Sequence, residues 1–245
     1  MAKAKVENKK LISIIGLPRQ GTTLISGIFN SFENSFCSIE PHWAKLANKG
    51  QRMNSGEKVP DDFMYRLHPS DFVGEIKKFL LDSRMEIGSI KETYRSHEKQ
   101  CCEFLLGNQE IDGYLFIFRE PKAGFNAWRK VRWGGFYDNV DNYITSYLDL
   151  WNEFEKLKNL GRPTAVITYE KICGQDPSGY LSDKLKPFSI EFPSLDSIGR
   201  IGSYFGDPSA SAGGKIRKSN NDYPLVRPDE IVKLRRLKEE IYDLI

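Results

Sequence analysis

Apolar runs alternate with segments of helical periodicity from Leu11 to about Glu170. The runs LISII, YLFIF and AVIT are almost continuously apolar, as strands covered on both faces of a parallel sheet require. Together with two shorter runs they predict strands at Leu11–Ile15, Ser35–Ile39, Ser89–Lys91, Tyr114–Phe118 and Ala165–Thr168. Helices are predicted between them at Thr22–Ser31, Pro69–Asp82, Ser96–Leu106, Pro121–Arg132 and Asp141–Leu160. In the last, Ile144, Tyr147, Leu148, Trp151, Phe154 and Leu157 recur at helical spacing and predict its buried face. A final helix is predicted from Pro228, a favoured first-turn residue, to Ile245, with Ile231, Leu234, Leu237, Ile241 and Leu244 inward. Alternating strands and helices predict an α/β fold of three layers, a central, mostly parallel sheet flanked by helices. The polar, turn-rich stretches Asn48–Pro60 and Gly206–Pro224 read as surface loops, the first over a site. With no internal repeat or linker, residues 1–245 are expected to form a single domain, the charged first nine residues being a disordered tail.

The junction between the first strand and the first helix carries the strongest chemical signal. Gly16 ends the apolar run, a short turn follows, and Gly21-Thr22-Thr23 opens an amphipathic helix. A helix N-terminus offers N–H groups that lack intrahelical partners, and the macrodipole favours an anion there. The Gly16-to-Gly21 spacing is that of the nucleotide loop G-x-x-x-x-G-K-S/T, but Thr22 stands where the lysine belongs and the basic residue, Arg19, comes earlier. Without that lysine, and with no aspartate at the ends of Tyr114–Phe118 or Ala165–Thr168 to hold magnesium, a triphosphate would be poorly neutralised. A less highly charged group suits this loop better.

Composition narrows the partners. With 40% hydrophobic, 12% aromatic and 28% charged residues the chain has the make-up of a globular domain. A net charge of +3 is too small to point to nucleic acid, yet it accommodates a locally basic pocket for a polyanionic cofactor. No stretch approaches the roughly 18 apolar residues of a membrane span, and MAKAKVENKK lacks the apolar core of a signal peptide. Cys37, Cys101, Cys102 and Cys173 form no C-x-x-C pair and the three histidines no H-x3-H spacing, so neither zinc nor a disulfide framework is expected. A cytoplasmic protein with free thiols and no metal is the expectation; a homodimer stays open.

Gly16-Leu17-Pro18-Arg19-Gln20-Gly21-Thr22-Thr23-Leu24 resembles the G-x-P-R-S-G-T-T-L phosphosulfate loop of sulfotransferases that use 3′-phosphoadenosine 5′-phosphosulfate (PAPS) and release 3′-phosphoadenosine 5′-phosphate (PAP). The resemblance implies that Pro18, Arg19, Gln20, Gly21, Thr22 and Thr23 bind the 5′-phosphosulfate, with Gln20 in place of the family's serine. Phe118-Arg119-Glu120-Pro121-Lys122 is similar to the family's R-D-P-R element, which implies that Arg119 binds the 3′-phosphate. The serine that usually follows eight residues later is Ala127 here, and the neighbouring Asn126 is a substitute. Thr168-Tyr169-Glu170-Lys171-Ile172 is similar to R-Y-E-D-L, whose tyrosine contacts the nucleotide in some members.

The acceptor hydroxyl of such a reaction needs a base within hydrogen-bond reach. Glu40 ends the second predicted strand, and strand ends beside the phosphate loop share one crevice in open α/β sheets. Glu40-Pro41-His42-Trp43 also lies where the tyrosylprotein and bacterial sulfotransferases carry a catalytic glutamate, and Pro41 is expected to hold Glu40 extended. His42 is the alternative base, as imidazole serves in the cytosolic branch. Lys91, in Ile90-Lys91-Glu92-Thr93, resembles the K-x-P or K-x-T element whose lysine contacts the sulfuryl group or the leaving oxygen; a fixed cation there stabilises developing charge. Lys215, Arg217 and Lys218 resemble, weakly, a basic clasp on the 3′-phosphate. Trp133–Tyr137 is an aromatic candidate for the lining of an acceptor pocket.

The implied reaction is metal-independent, in-line transfer of the sulfuryl group from PAPS to a hydroxyl of a small molecule, carbohydrate or other acceptor. A nucleotide kinase and a non-catalytic PAP- or nucleotide-binding module remain as alternatives, the second supported by Gln20 and Ala127.

Overall fold

Five strands form one sheet, all parallel, in the order β2-β3-β1-β4-β5. They are β1 (Lys10–Gly16), β2 (Ser35–Ile39), β3 (Ile87–Thr93), β4 (Gly113–Phe118) and β5 (Thr164–Thr168). The protein was analysed as a computed structural model, which describes residues 9–40, 72–94, 100–191 and 223–245. The helices among them are α1 (Thr22–Ser31), α2 (Phe72–Asp82), α3 (Gln100–Glu103), α4 (Pro121–Lys130), α5 (Val140–Asn159), α6 (Tyr169–Ile172), α7 (Pro177–Leu185) and α8 (Pro228–Glu240).

The side-chain alternation of the strands divides the core in two. Leu11 and Ile15 of β1 point into one layer with residues of α2, α4, α5 and α8. Ile12 and Ile14 point into the other, built from α1, α7 and the 3-10 turn Lys186–Phe188. The three-layer α/β arrangement expected from the apolar runs is therefore present. No helix among the described residues is long and apolar enough to cross a membrane.

Several local expectations need correction. Lys9 is no part of a free tail, because its ammonium donates to the carbonyls of Leu80 and Leu81, 3.0 and 2.9 Å away, at the end of α2. A cation there meets orphan carbonyls and the negative end of the helix dipole. Residues 1–8 lie outside the described residues. Helix α3 is a single turn in place of Ser96–Leu106, of which residues 96–99 are not described. The buried face of α5 is Tyr143, Tyr147, Leu150, Phe154 and Leu157, while Ile144, Leu148 and Trp151 pack at its margin. Both stripes obey helical spacing, and the neighbouring layers choose between them. At the C-terminus α8 stops at Glu240 and a 3-10 turn, Tyr242–Leu244, follows. Leu244 is 71% exposed rather than inward, since the change of helix type rotates it off the stripe of Leu234, Leu237 and Ile241. Apolar periodicity does not mark helix α7, yet Asp176 before Pro177 is a capping signal, and its carboxylate accepts from Gly179 N–H at 2.8 Å.

Helix α8 is fastened to α4 by a buried ion pair. Arg129 donates from both terminal nitrogens to the Glu230 carboxylate, at 2.7 and 2.6 Å, and to the carbonyls of Leu225 and Asp138. Arg227 adds a second cation 2.8 Å from Glu230. Burial alone would push the Glu230 carboxyl up, but the hydrogen bonds from Arg129 and the Arg227 backbone outweigh it and hold the group below its ordinary 4.5. A depressed carboxyl stabilises the fold above its unfolded value and loses that contribution as pH falls through the folded one. Glu230→Gln is accordingly expected to cost about 3 kcal/mol in urea unfolding at pH 7. The difference from the parent protein should shrink steadily below pH 4.5.

Candidate functional site

The carboxyl ends of all five strands carry the residues singled out above: the loop after β1, Glu40 after β2, Lys91 and Thr93 ending β3, Arg119 after β4, and Tyr169 after β5. That is the crevice where open α/β sheets bind ligands.

The loop from Leu17 to Gly21 turns through two left-handed residues, Arg19 at φ 66° and Gly21 at φ 97°. No side chain caps α1 and no acid stands in its first turn, so its leading N–H groups are presented without a built-in anion. Helix α4 differs. Its N-terminus is closed by the Glu120 carboxylate, which accepts from Ala123 N–H at 2.7 Å. Of the two helix starts beside β1, α1 is the one that fits an anion. Gly21 is required twice over: a Cβ at this position would lie 2.5 Å from Cδ2 of Tyr169, and its φ is one that L side chains rarely adopt. The fit of the loop to a phosphate-like group rests on these features, with Pro18, Arg19, Thr22 and Thr23 around the same turn.

Gln20 does not reach into that cradle with its side chain. It is fully buried, its Nε2 lies 3.5 Å from the Tyr143 hydroxyl, and its Oε1 has no partner among the described residues. Burial pushes the Tyr143 phenol well above its usual value, so it remains protonated. Tyr143 also reaches α4 so closely that a Cβ on Gly124 would meet its hydroxyl oxygen at 2.2 Å. Gln20 thus links the loop to the layer beneath it.

Glu40 and Lys91 form an ion pair between the ends of neighbouring strands. The Thr93 hydroxyl donates to the same carboxylate oxygen and accepts from the Lys91 ammonium at 3.1 Å. Lys91 is 3% exposed, so the pair excludes most water and each charge depends on the other. The K-x-T spacing places Lys91 and Thr93 on one face of β3; that Thr93 binds the carboxylate is the part the spacing leaves unsaid. Glu40 is not extended before Pro41. Its φ is 48°, and its N–H donates to Lys91 C=O at 2.7 Å. The backbone and side-chain bonds to β3 together outweigh the preference imposed by proline. Among the described residues four non-glycines have positive φ, and two of them are Arg19 and Glu40. Left-handed non-glycine residues cluster at functional sites, where surrounding contacts sustain the strain.

Arg119 is drawn toward the loop. Its Nη1 donates to the carbonyl of Arg19 at 3.2 Å and its guanidinium lies over the Tyr169 ring, 4.4 Å from the centroid. Its Nε is 3.9 Å from a Glu170 oxygen. Tyr169 therefore packs Gly21 and stacks on Arg119 at once, a position that its place at a strand end did not reveal. Asn126 is 4% exposed and its Oδ1 accepts from Leu225 N–H at 3.1 Å, which leaves only its amide nitrogen to donate elsewhere. Ala127 is half-buried on α4. His42, Lys215, Arg217 and Lys218 lie outside the described residues, as do the stretch 48–60 and most of 206–224. Phe136 and Tyr137 pack on Trp128, whereas Trp133 is 52% exposed.

No family model matches the chain, and no curated protein matches it. In structure it is similar to the sulfotransferase domain of the olefin synthase of Synechococcus PCC 7002, with a TM-score of 0.52 and 13% identity over 96% of both chains. It is also similar to sulfotransferase STF9 of Mycobacterium avium, with a TM-score of 0.51 and 14% identity, covering 99% of this chain and 78% of that one. The protein has the sulfotransferase fold.

Gly21 tests how the loop is held, and Gly74 serves as an unconstrained reference. Gly21→Ala should lower the unfolding free energy by about 1–3 kcal/mol through its left-handed φ and the Tyr169 contact. Gly74→Ala, on α2 with nothing within 4 Å of the new Cβ, should raise it by about 0.5–1 kcal/mol. Urea titrations of both variants check the pair.

Proposed function

We propose that the protein is a PAPS-dependent sulfotransferase that transfers the sulfuryl group to a hydroxyl, in preference to an amine, of a small-molecule or carbohydrate acceptor. The observation that carries this reading is the convergence of an uncapped, lysine-free phosphate loop with the Glu40–Lys91–Thr93 cluster at one edge of the sheet. The likeness in fold to two sulfotransferases supports it.

Bound PAPS supplies an activated sulfuryl group and a stable leaving phosphate. Arg19, the α1 N–H groups and the hydroxyls of Thr22 and Thr23 hold the 5′ end, and Arg119 beside Tyr169 binds the 3′-phosphate. Glu40 takes the proton of the acceptor hydroxyl as its oxygen bonds to sulfur and the bond from sulfur to the phosphate oxygen breaks. Lys91 serves two partners: from its buried position it pairs with the Glu40 carboxylate, and it offsets the charge that grows on the leaving oxygen. Thr93 aims the carboxylate. The charge is met by side chains and helix amides, so the scheme needs no metal. The inward turn of Gln20 favours a second reading, a PAP-binding module without activity.

PAP should raise the melting temperature while ATP with magnesium does much less; equal shifts would favour a nucleotide kinase. Glu40→Gln should lower transfer from PAPS by about 10²–10⁴-fold with the PAP-induced shift retained. Lys91→Met should lower transfer by about 10²–10³-fold. A PAP shift with no transfer by the parent protein, across phenols, sugars and lipids, would assign the module.

A further inference from the structure

The last turn of the chain reaches the candidate cofactor site. Glu170, the first residue after Tyr169, accepts two hydrogen bonds on one carboxylate oxygen and stands in ion-pair range of the Arg119 guanidinium with the other. Its Oε1 lies 3.9 Å from Arg119 Nε, and its Oε2 accepts from the Tyr242 hydroxyl at 2.7 Å and from Glu120 N–H at 3.2 Å. Tyr242 belongs to the 3-10 turn that follows α8, 72 residues beyond Glu170 in sequence. Burial and the Glu170 charge push the Tyr242 phenol well above its usual value, which keeps it a hydrogen-bond donor.

We infer that Glu170 and Tyr242 are positioning residues for Arg119, and through it set recognition of the nucleotide's 3′-phosphate; this rests on the sulfotransferase reading above. Glu170 is unsuited to touch a phosphate, since two anions would repel. It is suited to orient a guanidinium. Arginine carries five N–H donors in a rigid plane, so anchoring one edge decides where the others point. Here Nη1 is anchored on the Arg19 carbonyl, the face on the Tyr169 ring and Nε beside Glu170. Tyr147 adds a fourth tie, its hydroxyl donating to the Arg119 carbonyl at 3.1 Å. Tyr242 and Glu120 N–H fix the carboxylate in turn, so that it sits beside Nε. The buried Arg129–Glu230 pair brings the C-terminal turn to this place.

The test compares PAP with AMP, which lacks the 3′-phosphate, by titration calorimetry on the full chain. Tyr242→Phe should weaken PAP about five- to twentyfold, since only part of the roughly ten- to hundredfold scale of a hydrogen bond to a charged group passes through Glu170 to Arg119, and leave AMP within twofold. Arg119→Ala should lose at least as much for PAP, and Tyr242→Phe combined with it should lose little more, because both act through one guanidinium. Equal losses for PAP and AMP, or an unchanged preference, overturn the inference. If Tyr242→Phe destabilises the C-terminal turn, Glu170→Gln reads the same ratio, because it keeps an acceptor for Tyr242 but removes the charge beside Arg119. A parent protein that binds AMP as tightly as PAP would overturn the role of Arg119 itself, and with it the sulfotransferase reading, whatever the variants do.

Discussion

The loop after β1 carries one internal backbone bond, Gln20 N–H to Leu17 C=O at 3.3 Å, and takes further support from outside itself. Here the loop after β1 is held by residues 100 positions and more away in sequence. The Arg119 guanidinium binds the Arg19 carbonyl, Tyr169 fills the space left by the missing side chain of Gly21, and Gln20 meets Tyr143. All three supports come from the β4–β5 half of the sheet. The parallel order β2-β3-β1-β4-β5 makes this economical, because β1 lies at the centre and β4 at its side. Residues that open the helices after β4 and β5 therefore arrive beneath the loop without further chain.

The other half of the sheet supplies the carboxylate–ammonium pair. Ile39 lies opposite Lys91 in the β2–β3 register, so strand pairing brings the next residue, Glu40, to the end of β3. The left-handed turn of Glu40 then folds its carboxylate back over Lys91 and Thr93. The same element that strains the backbone provides the bonds that sustain it. The two halves of the sheet make the site bipolar: an uncapped helix start with Arg19 and Arg119 over β1 and β4, and a carboxylate–ammonium pair over β2 and β3.

The aromatic residues illustrate why side-chain identity was a poor guide to role. Tyr143, Tyr147 and Trp128 form a packed cluster in the layer below the site, and nothing in their spacing separates core from support. Yet Tyr143 touches Gln20 and Tyr147 touches the backbone of Arg119. Glu170 and Tyr242 are a harder case, since one stands on a single helical turn and the other beyond the last long helix. Asn126, beside the position of the family's phosphate serine, accepts from Leu225 N–H through Oδ1, a contact that its place on the helix does not announce.

Taken alone, the amino-acid sequence determined the five buried strands, the helix after Gly21, the displaced cation at Arg19, and the carboxylate and lysine at Glu40 and Lys91. These are local properties, set by hydrophobic period, glycine position and the residue at a strand end. Only the tertiary structure decided that Glu40 turns left-handed onto Lys91 and Thr93, that Gln20 faces inward, and that the C-terminal turn braces Arg119 through Glu170. Each of those depends on which strands become neighbours and how closely layers approach, and such long-range contacts leave no periodic trace along the chain.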